Sequence, residues 1–263
     1  MTLSTSLENR NAVICGASAG IGREIALAMA SQQAGVFLIA RSEDKLQQLA
    51  AECLAAGAAS AQFANCDLED LDAVRGVAAQ ALASFGGVHI LVNNSGGPPG
   101  GPILGAQIED FLKPLHRHLF ASHEMVKALL PSMEEQAYGR IINVISTSVK
   151  EPIAGLGVSN TVRGAVASWA KTLSKELPAC VTINNLLPGF TATDRLDSLK
   201  SAVAERRGIS DEDVASEWMA SVPAKRLGDP RELAALAAFL SSPAGAYVRG
   251  QSIAVDGGRL NSI

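Results

Sequence analysis

Aromatic residues are scarce, with two Trp, two Tyr and seven Phe among 263 residues. A core with so few rings must be filled by Ala, Val, Leu and Ile between helices and a sheet. No apolar run reaches the roughly 18 residues of a membrane-spanning helix, so no membrane association is expected. The first ten residues are polar, and no secretory signal is expected there. The four cysteines, Cys15, Cys53, Cys66 and Cys180, are scattered without Cys-x-x-Cys spacing. That excludes a zinc ribbon and suits reduced residues of a cytoplasmic protein. Basic residues number 22 against 26 acidic, a net charge of −4, and no basic stripe is present. Nucleic acid is therefore not expected as a partner.

The chain is rich where a phosphate would need it to be. Asn11–Glu24 reads Asn-Ala-Val-Ile-Cys-Gly-Ala-Ser-Ala-Gly-Ile-Gly-Arg-Glu. An apolar run over Ala12–Cys15 predicts a buried parallel strand. Three glycines follow, and then a helical pattern with Ile21, Ile25, Ala26 and Met29 on one face. Glycines let the backbone turn sharply and approach an anion, and a helix N-terminus offers free N–H groups. Gly16, Ser18, Ala19, Gly20, Ile21 and Gly22 are thus candidate cofactor-binding residues. The loop lacks the Gly-Lys-Ser/Thr ending of a nucleoside triphosphate site. A turn with no ligand is the plainer alternative.

The length fits a single α/β domain over 1–263, a doubly wound parallel sheet of about seven strands with helices on both faces. The second strand, Val36–Ala40, runs into Arg41-Ser42. An acid at this turn usually grips the ribose hydroxyl of NAD, whereas Arg41 suits the 2′-phosphate of NADP. NADP(H) is therefore the expected cofactor, with NAD(H) possible; an ordinary exposed arginine is the other reading. A third strand ends at Asp67-Leu68, where an adenine could lie. The fourth, Val88–Val92, ends at Asn93-Asn94-Ser95-Gly96, followed by a Gly/Pro-rich loop. Ligands of open α/β sheets bind at such strand ends. The asparagine amides could tie neighbouring strands together or hold a nicotinamide-side ribose.

Together these stretches resemble the short-chain dehydrogenase/reductase family over nearly the whole chain. Its glycine loop corresponds to Cys15-Gly-Ala-Ser-Ala-Gly-Ile-Gly22, and its Asn-Asn-Ala-Gly to Asn93–Gly96. Gly139–Ser146 resembles the fifth strand and its catalytic serine. Pro188-Gly189-Phe190-Thr191-Ala192-Thr193 resembles the loop that closes over the nicotinamide. Arg226–Ala234 and Val255–Gly258 match C-terminal signatures of the family. The resemblance implies hydride transfer between NADP(H) and a carbonyl or secondary alcohol of a small-molecule substrate. It also implies a homo-oligomer, a dimer or tetramer, with helix 160–176 against a second subunit. The cofactor set it implies comprises Gly16, Ser18–Gly22, Arg41, Ser42, Asp67, Leu68, Asn93, Ser95, Gly96, Arg163, Pro188, Gly189, Thr191 and Thr193.

The centre of the pattern differs. Counting thirteen positions from Ser146, and four more, gives Ser159 and Arg163 where the family carries tyrosine and lysine. The only tyrosines are Tyr138 and Tyr247. The position of the family's asparagine is His118. The expected catalytic set is therefore Ser146, Ser159, Arg163 and His118. A serine hydroxyl is a poor proton relay, and arginine cannot deprotonate. Arg163 can still stabilise a developing alkoxide one helical turn from Ser159. His118 is a candidate source of the missing proton, directly or through water, with a structural helix histidine as the plainer reading. The polar segment 194–225 is expected to form a substrate lid, with Leu196, Trp218 and Met219 as candidate pocket residues. The alternative function is a dinucleotide-binding homologue that has lost turnover and acts as a sensor or partner subunit. Another reaction on the same fold, such as dehydration or isomerisation, is the third reading.

Overall fold

The computed structural model describes residues 3–262. In chain order the elements are β1 (Asn11–Cys15), α1 (Gly20–Ser31), β2 (Gly35–Ala40), α2 (Glu43–Ala55), β3 (Ser60–Asn65), α3 (Leu71–Phe85) and β4 (Ile90–Asn93). Then come α4 (Ile108–Leu115), α5 (Ala121–Glu135), β5 (Gly139–Val144), α6 (Gly157–Glu176) and β6 (Val181–Pro188). The chain ends with α7 (Asp194–Arg207), α8 (Asp211–Ala220), α9 (Pro230–Ser241) and β7 (Ser252–Val255). The strands form one parallel sheet in the order β3-β2-β1-β4-β5-β6-β7. The order reverses between β1 and β4, which opens a crevice above their C-terminal ends.

Strand residues alternate between two cores. Ala12, Ile14, Val36 and Leu38 pack on one face with α1, α2 and α9. Val13, Cys15, Phe37 and Ile39 pack on the other with α3, α5 and α6. This explains the unbroken apolar runs of β1 and β2, since strands covered on both sides have no polar face to show. The scarce aromatics are spent sparingly, with Phe37 against Phe85 edge to face at 6.1 Å. Cys15, Cys53 and Cys66 are buried, Cys180 is half-buried, and all are free thiols. Among the described residues no helix is long and apolar enough to cross a membrane. Nor does any group of three His, Cys, Asp or Glu side chains stand ready to hold a metal ion.

A row of buried amides crosses the sheet beneath the crevice. Asn93 Nδ2 donates to Asn143 Oδ1 at 2.9 Å, and Asn143 Nδ2 to Asn185 Oδ1 at 2.9 Å. Asn185 Nδ2 completes the row on Ser252 Oγ at 3.0 Å. Four strands are thereby locked in register by side chains as well as backbone. The Asn93 amide thus takes the strand-tying role, the first of the two open to it from the sequence.

Between α4 and α5 the helix widens into a π turn at His116–Phe120. The turn changes the angular spacing of its histidines. His116 meets Phe120 and His123 meets Trp169, both edge to face, while His118 is driven inward.

Candidate active site

The crevice is a cleft of about 1170 Å³ along the tips of β1, β2, β4, β5 and β6. Its floor at one end is the glycine loop. Gly16 and Gly20 have φ of +60° and +54°, conformations that side chains rarely adopt. A Cβ at Gly16 would lie 2.6 Å from the Asn94 carbonyl oxygen, and one at Gly22 would overlap the Gly16 carbonyl. Gly22 therefore shapes the turn from beneath instead of lining the cleft. Asn94 reinforces the turn from β4, its Nδ2 donating to the Gly16 carbonyl at 3.1 Å.

The α1 N-terminus has no side-chain cap and no acid in its first turn. Several other helices carry a side-chain cap, although α2, α5 and α6 do not. Asp70 accepts from Asp72 and Ala73 at the start of α3, and a Ser210/Asp213 box closes α8. An uncapped N-terminus facing a cleft leaves donors and a positive dipole end for an anion. Ser18, Ala19, Gly20 and Ile21 line the cleft there. Arg41, Ser42 and Lys45 stand at its edge, and neither cation is ion-paired among the described residues. Asp67 and Leu68 line the same end. This donor set fits a dinucleotide with an extra phosphate: a glycine cradle no side chain could share, a bare helix end, and two free cations beyond it.

At the other end β5 delivers Ser146 and the first turns of α6 deliver Ser159 and Arg163. Ser146 Oγ accepts from the Ser148 amide at 3.1 Å, which fixes its rotamer. Arg163 Nε donates to Ser159 Oγ at 3.3 Å, and its Nη1 donates to the Ile145 carbonyl at 2.5 Å. Burial and the nearby Arg195 lower the Arg163 pKa to about 10, so the guanidinium stays charged at neutral pH. Ser95, Gly96, Pro188, Gly189, Thr191 and Thr193 also line the cleft. Gly189 is pressed against Asp256, which leaves no room for a side chain. Thr193 Oγ1 accepts from the Leu196 amide and starts α7 directly above Gly20.

His118 departs from expectation. Its side chain is 6% exposed and lies behind the cleft wall, with Nδ1 2.8 Å from Ser95 Oγ. Burial first, then the charges of Arg163 and Arg117, holds its pKa well below the ordinary value. A neutral ring screened by Ser95 does not reach a reacting carbonyl directly, so a direct proton-donor role is withdrawn. The spacing that picked out His118 carries no information on where its ring points.

Above the cleft, α7 and α8 contribute Arg195, Leu196, Leu199, Arg206 and Trp218. Trp218 stacks on Phe190 at 4.7 Å, and the Arg259 guanidinium lies 4.7 Å from the centre of the Phe190 ring. Met219 is not on the wall. Sequence reading missed Lys45, Arg195 and Arg259 as cleft residues. Lys45 carried a signal, one helical turn beyond Arg41; Arg195 and Arg259 carried none, since only the tertiary fold brings them to the cleft.

Comparison with known proteins agrees with this geometry. The family model described as enoyl-(acyl carrier protein) reductase matches residues 16–259. The chain belongs to the short-chain dehydrogenase/reductase family. It is 32% identical to NADPH-dependent reductase BacG of Bacillus subtilis (strain 168) over 259 residues, covering 98% of this chain and 100% of that protein. The crystal structure of YwfH, an NADPH-dependent reductase involved in bacilysin biosynthesis, superposes with a TM-score of 0.90 at 31% identity, covering 97% of this chain and 99% of that one. L-sorbose reductase from Gluconobacter frateurii, solved with NADPH and L-sorbose, gives 0.91 at 27% identity, covering 98% and 99%.

Proposed function

We propose that this chain is an NADP(H)-dependent oxidoreductase that acts on a carbonyl or secondary alcohol, with Ser159 and Arg163 in place of the family's tyrosine and lysine. The observation that carries the reading is one continuous cleft. A phosphate cradle with Arg41 and Lys45 occupies one end, and Ser146, Ser159 and Arg163 occupy the other. The NADPH-dependent relatives support the same cofactor.

The α1 amides at Gly20 and Ile21 would hold the pyrophosphate, with Ser18 and Ala19 beside them. Arg41, Ser42 and Lys45 would hold the 2′-phosphate, and Asp67 and Leu68 the adenine. Ser95, Gly96, Pro188, Gly189, Thr191 and Thr193 would enclose the nicotinamide half. NAD(H), without the 2′-phosphate, would bind more weakly. The bound nicotinamide supplies or accepts the hydride.

The chain's own groups do the rest. Ser146 orients the substrate oxygen. Ser159 Oγ already accepts from Arg163 Nε, so its own hydrogen is free to donate to that oxygen. Arg163 polarises this serine and stabilises negative charge developing on the oxygen, an effect worth about 10²–10³-fold for one such donor. The proton arrives from solvent, because no histidine lines this cleft. The helices of 194–225 would serve as the lid. Assembly as a dimer or tetramer would cover the exposed Leu104, Ile108 and Leu112. Free thiols suit a cytoplasmic setting.

Mass spectrometry of products formed from 4-deuterated NADPH and a carbonyl panel tests the reading. Deuterium in an alcohol product, lost in Ser146→Ala, is expected. Tight NADPH binding with no transfer to any carbonyl would leave the chain a dinucleotide-binding protein without turnover.

A further inference from the structure

Two positive charges meet in this cleft with no negative charge between them. A side-chain carbon at Gly97 would lie 3.1 Å from Arg163 Nη2 and 3.6 Å from Arg195 Nη2, so both guanidiniums converge on that glycine. Arg163 is half-buried, and its bonds run to Ser159 and the Val144 and Ile145 carbonyls through Nε and Nη1. Nη2 is left without a partner. Arg195 is exposed on the rim of the cleft and spends one bond, its Nη2 donating to the Pro98 carbonyl at 2.5 Å. Neither has a carboxylate within ion-pair distance among the described residues. Asp194 is the one carboxylate on this part of the wall, and it sits in the first turn of α7, where the helix dipole accommodates it.

Two like charges converging on one glycine repel each other unless an anion joins them. The surroundings say what kind of molecule brings it. Leu156 Cδ2 and Leu199 Cδ1 close over Gly100, at 3.2 and 3.5 Å from where its side chain would start. Ile153, Val203 and Trp218 extend this apolar surface across the cleft. The α1 N-terminus, at the tip of the neighbouring strand, already provides for a pyrophosphate, and Arg41 and Lys45 stand at the 2′-phosphate end.

We propose that Arg163 and Arg195 together seat a carboxylate carried by an apolar-bodied ligand. Resting on the oxidoreductase reading above, that ligand is an oxo acid whose carbonyl lies a short reach from its carboxylate. One arginine then serves both groups. Arg163 Nε acts on the carbonyl through Ser159, and Arg163 Nη2 shares the carboxylate with Arg195. Bidentate guanidinium–carboxylate pairing gives direction as well as attraction.

The test titrates NADP⁺-saturated protein with 3-phenylpropanoate and with 3-phenylpropanamide by calorimetry, in the wild type, Arg195→Met and Arg195→Lys. NADPH affinity is measured on each. The acid is expected to bind at least tenfold tighter than the amide in the wild type. Arg195→Met removes that margin, Arg195→Lys keeps part of it, and NADPH affinity stays within twofold throughout. Equal binding of acid and amide, or no binding of either, overturns the proposal. So does a tenfold loss of NADPH affinity in Arg195→Met, which would assign the pair to the cofactor. Turnover of 2-oxohexanoate over its methyl ester is scored separately. A clear preference for the acid in binding, with no carbonyl reduced, supports the carboxylate seat while the hydride-transfer reading fails.

Discussion

Arg163 Nε donates to Ser159 Oγ at 3.3 Å across one turn of α6, while Nη1 of the same arginine is tied to the end of β5 through the Ile145 carbonyl. The serine is therefore held by a charge that is itself held by the sheet. A preorganised donor of this kind loses nothing in reorganisation when charge develops on a substrate oxygen.

Removing either member should lower turnover more than it weakens cofactor binding. Ser159→Ala is expected to reduce kcat by about 10²-fold with NADPH affinity nearly unchanged. Arg163→Met should cost at least as much and also raise the KM for an anionic substrate. Steady-state kinetics beside a fluorescence titration separates the effects. A Ser159→Ala enzyme with full kcat would remove this serine from the reaction.

Cofactor choice should reside in Arg41 and Lys45. The double variant Arg41→Ala/Lys45→Ala is expected to weaken NADPH by about 10–100-fold, the worth of one or two charge-assisted contacts. NADH affinity should change less than threefold. Equal losses for both dinucleotides would place the two cations elsewhere in recognition.

The fold was legible in the sequence because its strands are covered on both faces. β1 and β2 read as continuous apolar runs, and the helices between them carry a 3.6-residue period, so a parallel sheet was the only economical layout. The glycine loop was equally legible, since Gly16 and Gly22 sit where a Cβ has no room. Side-chain direction was not. The Asn93 amide had two roles open to it, tying strands or holding a ribose, and only the fold shows that it pairs with Asn143. His118 was placed by its position in the family pattern, which says nothing of where the ring points; the structure sets it in the π turn at His116–Phe120, against Ser95. Arg195 meets Arg163 only through the fold.

The amide row should be a sharp determinant of stability. Asn143→Ala leaves the Asn93 Nδ2 donor and the Asn185 Oδ1 acceptor buried without partners. At about 1–3 kcal/mol for each orphaned group, a loss of roughly 2–6 kcal/mol is expected. Urea unfolding measures it directly; a loss below 1 kcal/mol would mean the row contributes little.

Acid should destabilise the protein before its carboxylates titrate. Burial, and secondarily Arg10, lowers the His89 pKa from 6.5 to about 4, and its Nδ1 accepts from the Asn11 amide at 3.1 Å. The unfolded chain binds this proton more readily, so the contribution is complete above pH 6.5 and is lost as pH falls towards 4. The loss is on the order of 2–3 kcal/mol for His89. His118, also held neutral, acts in the same direction. Unfolding free energies at pH 7 and pH 5 should differ accordingly, and His89→Gln should flatten the slope.

The central claim is that the cleft takes a nicotinamide dinucleotide bearing a 2′-phosphate, and fluorescence titration of the purified protein with NADPH and NADH tests it most directly. Saturable NADPH binding with a micromolar dissociation constant, at least tenfold tighter than NADH, is the predicted result. Failure to bind either dinucleotide would contradict the account at its base.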